Sequence, residues 1–189
     1  MLNNGLFLLT DKMKSRGFSL IEILIGITLV GLVFSVAGTV LFSTLKSSRK
    51  AEAIAIAKSE GAYAIQAIGS SIRYAKSIIC GGSNLKLQIN KSDTDSLVYS
   101  YVTSTPNKIA SSSGTISSPG TAINVTTNGV QLSLSQCGGE MFTCNASNTA
   151  VNICFAIDTV NGIDVSDKAM GTGVNGIVFK TGIGLVNNN

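Results

Sequence analysis

The residue most in need of a chemical reason is Glu22, a lone carboxylate at the head of an uncharged run from Ile23 to Leu45. A carboxylate beside lipid or apolar protein is costly and must find a partner. Residues four apart on a helix share a face, so Glu22 lies beside Phe18, which follows Gly17 and the basic residues Lys14 and Arg16. Four cysteines, Cys80, Cys137, Cys144 and Cys154, all lie beyond the apolar run. In an exported domain they suit two disulfides better than a metal, because the chain has no CxxC and no histidine. Three pairings are open. The expected one closes a short loop with Cys137–Cys144 and ties the end of a helix to a strand with Cys80–Cys154. Asp158, Asp164 and Asp167 cluster in a stretch containing Gly and Asn. They are a weak calcium candidate: their spacing matches no EF-hand, and a solvated turn is the preferred reading.

Catalysis finds little support. Without histidine the Ser–His arrangements and the commonest general base are absent. Gly171-Thr172-Gly173-Val174-Asn175-Gly176 matches GxGxxG in letters, but no helix pattern follows it, and a glycine-rich turn is expected instead. The reading is of a protein that is not an enzyme and needs no cofactor.

These groups must be positioned by a small number of elements. The run to Leu45 exceeds the about 20 apolar residues that cross a hydrocarbon core. From Lys46 to Ile79 the pattern stays helical but becomes amphipathic, with Ile65, Ile68, Ile72, Ala75 and Ile79 forming one stripe. At Cys80-Gly81-Gly82 the composition changes. Alternating apolar runs at Leu85–Ile89, Leu97–Val102, Val130–Leu134, Val151–Ile157, Ile177–Phe179 and Ile183–Leu185 then read as half-buried strands. The Ser-, Thr- and Pro-rich stretch 103–127 reads as loop with at most one edge strand. The expected class is α+β, a long N-terminal helix packed by an antiparallel β-sheet head. The expected segments are a leader (1–17), a membrane helix (18–45), its amphipathic continuation (46–79) and an exported head (80–189).

The formal charge of +4 is unevenly placed. Residues before Phe18 carry net +2, Lys46 to Lys76 carry net +4, and the chain beyond Cys80 carries five lysines against six acids, net −1. A nucleic-acid reader concentrates basic charge in its reading domain, so a nucleic-acid partner is not expected here. Tyr99 and Tyr101 read as sheet residues rather than base-stacking platforms.

The stretch Lys14-Ser15-Arg16-Gly17-Phe18-Ser19-Leu20-Ile21-Glu22, followed by an uncharged span, resembles the cleavage and assembly signal of type IV pilins and the related pseudopilins. An ordinary secretory signal could use Ser35-Val36-Ala37 as its cleavage site, but it leaves Glu22 and Arg16-Gly17-Phe18 without a role. A plain uncleaved anchor leaves Glu22 equally unexplained. The resemblance implies a prepilin peptidase that cuts between Gly17 and Phe18 and methylates Phe18. A glycine before that bond puts no side chain in the way of a narrow cleft. The new ammonium group of Phe18 and the carboxylate of Glu22 then share a helix face, and the resemblance implies that Glu22 docks each incoming subunit. It further implies other pilin or pseudopilin subunits, assembly-platform proteins and membrane lipid as partners. The location implied is the bacterial inner or plasma membrane, with the head exported, and then a pilus or a periplasmic pseudopilus of type II secretion. A minor tip subunit with an adhesive, substrate-binding or DNA-binding head is the alternative. Many family members have a proline inside the membrane helix; this chain has Gly26, Gly31 and Gly38 there instead. Met13 is a second possible start.

Overall fold

The structure is a computed structural model that describes residues 17–81, 83–160 and 176–186. The chain divides into two compact units, Met1–Leu45 and Lys46–Asn189, and a single helix, α1 (Leu20–Arg73), runs through the division. In the first unit the Ser19 carbonyl accepts from the N–H groups of Glu22 (3.0 Å) and Ile23 (3.3 Å), so Ser19 stands where a helix is capped. Glu22 then falls in the first turn, in the S-x-x-E spacing of a capping box. A negative charge there opposes the positive end of the helix dipole and stabilises the start by about 0.3–1 kcal/mol at an exposed site.

In the second unit the helix buries a stripe of mostly small residues, Ala53, Ala57, Gly61, Ala64, Ile68 and Ile72, at steps of three and four. The expected stripe is correct at Ile68 and Ile72, but α1 stops at Arg73 and does not reach Ile79. Ala75 N–H closes a last turn on the Ile72 carbonyl (3.0 Å), and Lys76 N–H bonds instead to Asn90 (2.7 Å), which hands the chain to a sheet. The β-branched pair Ile78-Ile79 favours that extended pairing. Ile78 enters the core and Ile79 stays exposed on the other face.

Five strands form the first sheet, all antiparallel and in chain order: β1 (Ser77–Gly81), β2 (Lys86–Asn90), β3 (Ser96–Val102), β4 (Lys108–Ser113) and β5 (Ile123–Asn124). The second sheet is built on β8 (Ala150–Thr159). One edge of β8 pairs with β9 (Ile177–Gly184); the other edge pairs first with β7 (Phe142–Cys144) and then with β6 (Val130–Ser133). Backbone bonds join the sheets: Phe142 N–H donates to Asn84 (2.8 Å) and Leu132 N–H to Asn107 (3.2 Å). One core results. It is filled by Ile68 and Ile72 of α1, Leu87, Ile89 and Ile109 of the first sheet, and Phe142, Ile153 and Phe155 of the second.

The architecture is therefore α+β, as the sequence pattern predicts, with three local corrections. Stretch 103–127 holds an interior strand as well as an edge strand, because β4 lies between β3 and β5 and buries Ile109, Ala110 and Ser112. Its Ala- and Ser-rich composition hides it from any hydrophobic pattern. The strand is held by its two neighbours and by Thr126, whose hydroxyl accepts from Ile109 N–H (3.2 Å). The runs at Ile177–Phe179 and Ile183–Leu185 belong to one strand, β9, which ends at Gly184, rather than to two short ones. The disulfides are Cys80–Cys144 and Cys137–Cys154, not Cys137–Cys144 with Cys80–Cys154. Cys144 sits on β7, whose place on the edge of β8 brings it to Cys80 on β1, so the first bridge ties the two sheets together.

Candidate assembly site

Gly17, Phe18 and Ser19 lead into α1 without helical structure, and Phe18 is 77% exposed. A Cβ at Gly17 would meet none of the described residues within 4 Å. Glu22 is exposed one turn further on, and it has no ion-pair partner among the described residues. The groups that the sequence singles out for processing and docking thus sit together at the start of the helix.

From Leu20 to Leu45 every residue is exposed except Gly38, which is half-buried. Leu, Ile, Val and Phe side chains dominate this surface, and α1 is the one helix among the described residues long and apolar enough to cross a membrane. Its three threonine hydroxyls are satisfied within the helix. Thr28 donates to the Ile25 carbonyl, Thr39 to Val36 and Thr44 to Val40, each at 2.8 Å. A hydroxyl satisfied by its own helix needs no partner in lipid. Gly26, Gly31 and Gly38 face open space, where another helix could approach closely.

The other candidate residues separate from this site. Asp158 lies half-buried on β8, where its Oδ1 accepts from Thr159 N–H (2.8 Å). Asp164 and Asp167 lie outside the described residues, as do residues 171–175 of the glycine-rich run. Gly176, at φ +105°, leads directly into β9, so a strand follows that run. Among the described residues no group of three or more His, Cys, Asp or Glu side chains could hold a metal. Tyr99 and Tyr101 are sheet residues. The Tyr99 hydroxyl lies 3.0 Å from Ser71 Oγ and 3.3 Å from the Ala67 carbonyl, and burial pushes its pKa up against the downward pull of the Ser71 bond.

A polar cleft of about 520 Å³ is a feature the sequence reading did not single out. It lies between the β1–β2 rim and the turn Ser92-Asp93-Thr94-Asp95, a polar cluster between strands that is its only sequence signal. Lys76 Nζ donates to Asp93 Oδ1 at 2.6 Å, and this bond and the lysine charge hold the Asp93 carboxyl below its ordinary range. The amides on its floor are committed to neighbours: Asn90 donates to Ser77 Oγ (2.9 Å) and Gln88 to Asn90 Oδ1 (2.8 Å).

Residues 12–38 match the family model for the prokaryotic N-terminal methylation motif, the leader signature of type IV pilins and pseudopilins. No curated protein and no solved structure shows significant similarity to the chain. The motif supports a type IV pilin-like or pseudopilin protein, and the exposed apolar helix and the two disulfides agree with it. They point to a structural protein held at a membrane rather than to an enzyme.

Proposed function

We propose that this chain is a subunit of a type IV pilus-like filament, cut between Gly17 and Phe18, methylated at Phe18 and polymerised through its apolar helix. The observation that carries the reading is the bare apolar surface from Leu20 to Leu45, directly behind a matched methylation motif. Before assembly, lipid covers that surface. Afterwards, like helices do. Moving a helix from lipid into a bundle exchanges one apolar surrounding for another, so burial alone supplies little preference. Close packing at Gly26, Gly31 and Gly38 and a specific polar pairing supply the rest. Glu22 is suited to that pairing because it is charged, exposed and without a partner of its own among the described residues. The ammonium group of a neighbouring Phe18 is its complement.

Mass spectrometry of the native amino terminus tests the proposal. A chain beginning at methylated Phe18 is the expected result. A chain beginning at Met1 or Met13 would make the protein an uncleaved anchor, and a start at Gly38 would make it a secreted domain. Copy number in sheared filaments separates a major subunit from a tip subunit, because a major subunit dominates the preparation.

A further inference from the structure

We propose that Lys46, Arg49 and Lys50 form a collar that binds anionic phospholipid headgroups on the exported side of the membrane. The proposal rests on the reading of Leu20–Leu45 as a span with the head exported. Lys46 follows the last residue of that span directly, so the collar lies at the exported end of the span whatever position the head takes.

The depth follows from helix geometry. Placing Glu22 at one boundary of a hydrocarbon core about 30 Å thick puts the other boundary near Phe42 at 1.5 Å per residue. Lys46 then falls about 6 Å beyond it, within the headgroup layer. Side chains on a helix lean toward its N-terminus, which here is toward the membrane. Long basic side chains can therefore reach back from Arg49 and Lys50 to phosphate depth.

The collar is also aimed. At about 100° per residue, Lys46, Arg49 and Lys50 fall within one arc of roughly 100°, and Glu52 falls outside it. That arc overlaps the face on which Ala53, Ala57 and Ala64 are buried under the β-sheets further along the same helix. The collar thus occupies the side of α1 that the head covers, just before the head begins. All three residues are exposed and make no ion pair among the described residues. The nearest acid on that face, Glu60, already accepts from Thr127 N–H (3.1 Å). At this depth the anionic group within reach of these charges is the phosphate of the headgroup layer. Charge, depth and direction favour phosphate of the lipid surface.

The test uses the full chain in vesicles of phosphatidylcholine containing spin-labelled phosphatidylglycerol or spin-labelled phosphatidylcholine. The wild-type chain is expected to prefer the anionic lipid by about threefold, with the preference falling in high salt. The variant K46Q/R49Q/K50Q is expected to lose most of that preference, while K12Q/K14Q/R16Q keeps the share due to the collar. An unchanged preference in the collar variant would overturn the proposal. If that variant instead loses self-association at constant lipid preference, the collar contacts a second copy and the proposal fails. Co-flotation with the vesicles checks insertion, and a wild-type chain that does not float overturns the proposal as well. An unprocessed amino terminus would defeat the filament reading but leave the lipid result standing, so the two failures are distinguishable.

Discussion

Gly61 of α1 faces the ring of Phe179 on β9 so closely that a Cβ at residue 61 would overlap three of the ring carbons. Phe179 cannot simply retreat, since it stacks on Phe155 of β8 with centroids 5.5 Å apart and planes inclined by 22°. The glycine is a socket that lets helix and sheet close on each other. Gly61→Ala improves helix propensity by up to about 1 kcal/mol, but displacing a packed ring costs about 1–3 kcal/mol. The expected result is net destabilisation, read as a lower denaturation midpoint of the full chain in detergent. Gly31→Ala, at a position with nothing within 4 Å, should hold that midpoint or raise it slightly. Equal behaviour of the two variants would refute the socket.

The two disulfides should differ in worth. Cys80–Cys144 spans 64 residues and Cys137–Cys154 spans 17. Taken singly, the chain-entropy model gives stabilisations of about 4 and about 3 kcal/mol, so loss of the longer bridge is the costlier. Replacing each pair by serine and comparing denaturation midpoints checks the order. Non-reducing peptide mapping checks the pairing, and a fragment joining Cys137 to Cys144 would contradict it.

Glu22→Ala is expected to reduce incorporation into filaments by a large factor while leaving membrane insertion intact. The loss at the helix start is about 0.3–1 kcal/mol, too small to unseat a span of this length. Membrane fractionation and sheared-filament yield, measured together, separate the two effects. Normal incorporation would remove the docking role.

Tyr99 predicts an alkaline limit to stability. Burial raises its pKa in the fold above the ordinary 10.0, so the folded state favours the neutral phenol. The stability this represents is complete below pH 10.0 and is lost as pH rises through the higher folded value. Tyr101 is shifted the same way by its own burial, so Tyr99→Phe should flatten the alkaline decline without abolishing it. At neutral pH the same substitution removes the bonds to Ser71 and Ala67, at a cost of about 0.5–1.5 kcal/mol. Thermal melts across the alkaline range read both effects.

Acid should act on a different pair. The Asp93 carboxyl is lowered by Lys76, so the contribution of this exposed pair is present above the ordinary 3.8 and is lost as pH falls through the lower folded value. Lys76→Gln is expected to return the Asp93 titration to the ordinary range, as followed by NMR. A titration that does not move would show that the lysine is not its cause.

By itself, the sequence determined what one-dimensional patterns can carry. An uncharged run of span length, an acid four residues from Phe18 and basic residues before Gly17 are all local in the chain, and the run and its acid fall on one helix for that reason. The strands at Leu87, Leu132 and Ile153 were legible because alternation turns one face to the core and the other away from it. Only the tertiary structure decided the rest. β4 is interior despite its serines because its neighbours satisfy its backbone. α1 stops at Arg73 because Asn90 offers Lys76 N–H a sheet partner. The disulfides pair across the sheets because Cα atoms must approach to about 5.5–6 Å, and strand order brings Cys80 to Cys144 (5.8 Å) and Cys137 to Cys154 (5.6 Å). Spacing along a chain does not contain that order; it is set when two sheets close over one helix.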